Sequence, residues 1–263
     1  MSNANLKREL LRGPLQKIQR AKHHLSDIRR KVQDYLLLDP VEFWISQSIN
    51  PPRRTIYSKA DPPIPEELPL IVGDAVNNAR AALDHICFAI VKGETLPKRE
   101  RRLVGFPFAE NAKDLDAAIL QRKMGFARVS VIRELHAIKP YPDGNKYLSA
   151  IKDLSNSDKH HTIMTAFVGA EMDLLQFSEM LPDAPLPPLP VGAIIRTVGG
   201  FCTALDSSSP IEIFDKKAVS QPAFLVGFGQ GEALENEELF DAVSKMITSA
   251  ESAVRRLARA FYS

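Results

Sequence analysis

Arg80, Asp84 and His85 lie close together in the chain, with Asn77 shortly before them. On a helix turning about 100° per residue, with Val72 as zero, Arg80 projects at about 80°, Asp84 at about 120°, Asn77 at about 140° and His85 at about 220°. All four then point away from the apolar stripe of the same segment. Arg80 and Asp84 can pair along the helix surface, a contact worth about 0.2–0.5 kcal/mol. Much later, Asn156, Asp158, Lys159, His160 and His161 crowd together. There the helical stripe Tyr147, Ile151, Leu154 reaches Asp158 at its next core step. A carboxylate at a core step must find a partner, or the helix must end before it. Arg80 and Lys159 are the natural partners, so the spacing predicts a polar site shared by two helices.

Other routes to chemistry are absent from the sequence. Gly227-Phe228-Gly229-Gln230-Gly231 sits between a predicted strand and a predicted helix, but Glu232 stands where a dinucleotide fingerprint needs its third glycine. A glycine-rich turn accounts for it. No phosphate-loop, nucleophile-elbow or zinc-protease motif occurs. His23-His24 and His160-His161 are adjacent pairs, and neighbours on a helix point about 100° apart, so neither pair can hold a metal from one face. The reading therefore includes no metal site and no small-molecule cofactor.

Several elements must position these groups. Leu11, Leu15, Ile18, Leu25, Ile28, Val32 and Tyr35 recur at helical spacing across about 5–37, with Gly13-Pro14 expected to kink or restart that helix. Val41–Gln47 and Arg54–Ser58 read as a hairpin or two edge strands. After a proline-rich stretch, Val72, Val76, Ala79, Leu83, Ile86 and Ile90 define the clearest core helix, 68–91. A charged linker at Lys98–Arg102 leads to three helices at about 111–120, 128–139 and 145–160, the last two separated by the turn Lys139–Gly144. From Thr162 the character changes. Thr162–Ala170, Val191–Val198, Ile211–Phe214 and Ala223–Phe228 predict a small antiparallel sheet, with the proline-rich Leu181–Pro190 as a loop. A final helix at about 233–261 carries Glu235, Glu237, Glu238 and Asp241 early and Arg255, Arg256 and Arg259 late, as the helix dipole favours.

Composition bounds the class. At 263 residues, 44% hydrophobic and 25% charged, the chain can bury a full core. Met1–Leu15 alternates charge with leucine and lacks the apolar run of a signal peptide, and no run reaches membrane-spanning length. Cys87 and Cys202 are too few for a disulfide framework, so a reducing cytoplasm is expected, with no membrane partner. Residues 1–35 hold nine basic side chains against three acids, in a chain of net charge +2. A basic helix attracts nucleic acid, though a solvated helix face explains the same residues.

Two resemblances attach to the motifs. Gly73-Asp74-Ala75-Val76-Asn77-Asn78-Ala79-Arg80-Ala81-Ala82-Leu83-Asp84-His85, followed by Leu154-Ser155-Asn156-Ser157-Asp158-Lys159-His160-His161, resembles a largely uncharacterised bacterial and phage family. That family pairs an NxRxALDH-type helix with an LxNxDKHR-type helix end. His161 stands where it usually has arginine. More distantly, Arg80 and His85 resemble the R-x4-6-H motif of HEPN-type helical ribonucleases. That resemblance implies RNA as a partner, a homodimer, and metal-independent cleavage in which His85 moves a proton and Arg80 stabilises the phosphorane charge. Ala81 departs from the polar residue usual there.

These readings converge on a single α+β domain, mainly a helical bundle with a small antiparallel sheet: helical core at about 5–37, 68–161 and 233–261, β-rich segment at about 162–230. The expected function is a non-catalytic binding or regulatory protein with a polar cluster between two core helices. The alternative is a HEPN-like ribonuclease. Arg80, His85, Asp158 and His160 are the candidate catalytic residues, and Asn77, Asp84, Asn156 and Lys159 the candidate binding residues.

Overall fold

The computed structural model describes residues 3–38, 41–49, 52–60, 63–92, 95–158, 163, 165–173, 193–198, 202–205, 212–215, 223–229, 231–235 and 237–263. The chain forms two compact units. The first comprises Met1–Arg29, Pro69–Ile163 and Phe240–Ser263, the second Arg30–Leu68 and Met164–Leu239.

The first unit is helical. It takes its helices from α1 (Asn3–Leu36), α2 (Glu67–Ile90), α3 (Lys98–Arg101), α4 (Leu115–Gln121), α5 (Val129–Ile138), α6 (Lys146–Ser157) and α7 (Leu239–Tyr262). Of the stripes foreseen, Ile18, Ile28, Val32 and Tyr35 of α1 and Val72 to Ile90 of α2 are buried, and α7 buries Val243, Met246, Ala250, Val254 and Leu257. Burial of the valine, leucine, isoleucine and methionine side chains among them contributes about 1.5–3 kcal/mol each. Helix–helix contacts fix the directions. Lys22 pairs with Glu251 at 2.5 Å, and Arg29 lies 4.1 Å from the Phe240 ring centroid, so α1 and α7 run antiparallel. Glu134 accepts from Arg256 at 2.5 Å, and Ser130 donates to the Ala260 carbonyl at 2.6 Å, so α5 and α7 do too.

Three sequence expectations change here. Gly13-Pro14 does not split α1, which continues through Pro14. Gly13, lacking a Cβ to crowd the proline ring, lets the preceding residue stay helical. The Lys98–Arg102 linker forms the short helix α3. The last helix starts at Leu239, so Glu235, Glu237 and Glu238 precede it and Asp241 alone of the four acids occupies its first turn. The chain before it turns instead: Glu237 N donates to the Leu234 carbonyl at 2.9 Å, with Leu234 at φ 63°, and Phe228 N donates to the Glu237 carbonyl at 3.2 Å. The glycine run ends in that turn, where Gly231 N donates to the Glu235 carboxylate.

In the second unit the backbone is extended at β1 (Val41–Ile49), β2 (Pro52–Ala60), β3 (Thr165–Asp173), β4 (Ala193–Val198), β5 (Cys202–Leu205), β6 (Glu212–Asp215) and β7 (Ala223–Phe228). Antiparallel registers put Val41 opposite Ala60, Thr165 opposite Phe228, and Ala193 opposite Asp215. Leu181–Pro190 lies outside the described residues.

Candidate functional site

The site is assembled on one stripe of α2. Gly73, Asn77, Arg80 and Asp84 recur at helical spacing and share a face. The helix that presents them begins after Pro65, whose carbonyl accepts from Leu68 N at 3.0 Å, and carries Glu67 in its first turn, where a negative charge suits the dipole. It ends before Lys92, at φ 50°. Facing the stripe is α6, started by Asn145, whose side chain accepts from Leu148 N at 3.1 Å.

Each polar group in the stripe has a partner. Asn77 Nδ2 donates to Asp158 Oδ2 at 2.7 Å, and Asn77 Oδ1 accepts from Ser155 Oγ at 2.8 Å. Arg80 Nη1 donates to the Lys152 carbonyl at 3.1 Å and to Asn156 Oδ1 at 3.0 Å, while the guanidinium lies 5.6 Å from the Phe108 ring centroid. Asp84 Oδ1 accepts from Phe106 N at 2.8 Å. Two glycines permit this closeness. A Cβ on Gly73 would sit 2.2 Å from Asp158 Oδ1, and one on Gly105 would sit 3.0 Å from Asp84 Oδ1.

This geometry redistributes the expected pairs. Asp158 is held by Asn77 rather than by Arg80, and it is also the residue that ends α6, so both ways of accommodating a carboxylate at that step operate together. Arg80 turns to α6, where it donates to the Lys152 carbonyl and to the Asn156 side chain. Asp84 is drawn to the backbone at Phe106. Lys159, His160 and His161 lie outside the described residues.

His85 is set apart. It is exposed, and the position a Cβ would take on Gly13 of α1 is 3.6 Å from its Nδ1. It therefore faces α1, whereas Arg80 faces α6. His24 of α1, weighed in the sequence only as half of an adjacent histidine pair, is buried; desolvation lowers its pKa from 6.5, and Asp74 of α2 opposes the shift. With Gly13 beside His85 and His24 near Asp74, α1 and α2 run antiparallel.

The electrostatics follow from partial burial. Desolvation lowers the Arg80 pKa, opposed first by the charge of Asp84. Desolvation likewise raises the Asp153 carboxyl, against the pull of Lys152, which also pairs with Glu110. Among the described residues no buried side-chain nitrogen or oxygen lacks a partner, and no three His, Cys, Asp or Glu gather as a metal would require. No described helix is long and apolar enough to cross a membrane.

Ser155 and the glycine notch at Gly73 complete the network and were missed as functional positions. The signal available for them was the pairing of a glycine on one helix with an aspartate at the end of another. The chain matches no protein-family model, no curated protein and no solved structure.

Proposed function

We propose that this chain is a non-catalytic binding or regulatory protein whose α2–α6 polar seam locks the end of α6 for an unidentified ligand. The observation that carries the reading is the seating of Asp158 in the notch over Gly73, with Asn77 donating to its carboxylate. Arg80, Asn156 and Ser155 likewise direct their hydrogen bonds at protein partners instead of converging on one open point. A double-mutant cycle tests it. Asn77→Ala and Asp158→Ala should each lower unfolding free energy by about 1–3 kcal/mol, because each strands a polar partner. The double variant should then lose less than the sum. Single variants with wild-type stability would remove the lock. With this reading go a cytoplasmic setting and a small antiparallel sheet in the second unit, which the antiparallel order β6-β4-β3-β7 supports.

The second reading is a HEPN-like metal-independent ribonuclease using Arg80 and His85, favoured by the solvent exposure of His85. Because Arg80 and His85 face different helices, it requires a homodimer that brings His85 of one copy to Arg80 of another. RNA cleavage in chelator that disappears in His85→Ala, at an unchanged thermal midpoint, would displace the first reading.

A further inference from the structure

The start of α5 is clamped to the end of α7. Ser130 Oγ donates to the Ala260 carbonyl at 2.6 Å. Arg128 Nη1 donates to the Phe261 carbonyl at 2.7 Å, and its guanidinium lies 4.9 Å from the Phe261 ring centroid. These donors engage carbonyls that a helix end leaves without partners. The negative end of α7 is thereby answered within the protein.

Beside this clamp, Arg133, Glu134, Arg256 and Arg259 line an open hollow of about 420 Å³. Glu134 Oε1 accepts from Arg256 Nε at 2.5 Å, so the one acidic side chain in the wall is engaged with one of the three arginines, and Ser263 also lines the hollow. The guanidinium groups of Arg133 and Arg259 have no hydrogen-bond or ion-pair partner among the described residues. An ordinary solvated face spreads such charges apart. Here they bound one concavity on two helices joined by the clamp, and a concave wall with an excess of positive charge concentrates anions. Guanidinium forks match the tetrahedral oxygens of phosphate, and charge-assisted hydrogen bonds of this kind are the stronger class.

We infer that the hollow between α5 and α7 is a phosphate-binding site, taking the phosphate group either free or as a unit of an RNA backbone. Arg133 and Arg259 supply the unshared donors. Glu134 positions Arg256 beside them.

Calorimetry with inorganic phosphate and fluorescence anisotropy with a labelled single-stranded RNA lacking a 5′-phosphate, both on the full chain, test the inference. At least one probe should bind the wild type, and Arg133→Gln/Arg259→Gln should weaken that binding about tenfold or more. The thermal midpoint should fall little, since neither guanidinium has a hydrogen-bond or ion-pair partner to lose and Arg259 gives up only its charge at a helix end. Arg133→Lys and Arg259→Lys keep the charge without the fork and should give intermediate losses. Phosphate binding without RNA binding identifies a free phosphate group as the ligand. RNA binding whose salt slope falls by about 0.7 for each contact removed identifies the backbone. Failure of both probes to bind, or equal binding by wild type and the double variant, overturns the site. A comparable loss from Lys17→Gln/Arg20→Gln on α1 would reveal general charge attraction and overturn it too.

Discussion

At position 73 only a hydrogen atom fits, because the Asp158 carboxylate occupies the space a methyl group would take. Alanine is intrinsically about 1 kcal/mol better than glycine inside a helix. Overpacking costs about 1–3 kcal/mol, so here the clash wins. Gly73→Ala should therefore lower the urea midpoint, and adding Asp158→Ala should recover part of the loss. A Gly73→Ala variant more stable than wild type would contradict the notch. His24 carries a second residue-scale prediction. Its folded pKa lies below 6.5, so the unfolded chain binds the proton more readily and stability falls as pH drops through about 6.5 toward the folded value. Stability curves at pH 7.5 and 5.5 should differ by less in His24→Gln than in the wild type.

At the scale of elements, periodicity was a good guide wherever an apolar stripe ran uninterrupted. α2, α5 and α6 lie within a few residues of their expected bounds, because Val72 to Ile90, Val131 to Ile138 and Leu148 to Leu154 each need one continuous buried face. Boundaries failed where backbone hydrogen bonding competed with charge pattern. Glu235 and Glu237 suit a helix start by charge, yet their amides serve the turn after β7. Pro14 failed as a helix breaker because α1 retains buried Ile18, Ala21 and Ile28 beyond it. Its cost persists, since a proline inside a helix removes a donor and crowds the preceding turn. Pro14→Ala should raise the thermal midpoint, with a gain of about 1–2 kcal/mol after the lost ring contact is subtracted. In α7, Leu257→Ala should cost about 2–5 kcal/mol, measured by denaturant unfolding, because Leu257 is fully buried.

For the whole molecule, what was legible of the site was its location between α2 and the end of α6. Its wiring was not. A helical wheel orders side chains around one axis and says nothing of which donor meets which acceptor across two. Arg80 was therefore matched by charge to Asp158, whereas the nearer solution pairs the carboxylate with an amide and the guanidinium with a carbonyl. The wheel did separate Arg80 from His85 by about 140°, but not which helix each would meet.

Asn77 and Asp158 are 81 residues apart in the chain. At a synthesis rate of about 5–20 residues per second, α2 leaves the ribosome roughly 4–16 s before the carboxylate that completes it. Throughout that interval the face awaiting α6 presents an amide and a guanidinium, groups that water satisfies without inviting aggregation. Water can thus satisfy the unfinished face of the nascent helix until α6 supplies protein partners for Asn77 and Arg80.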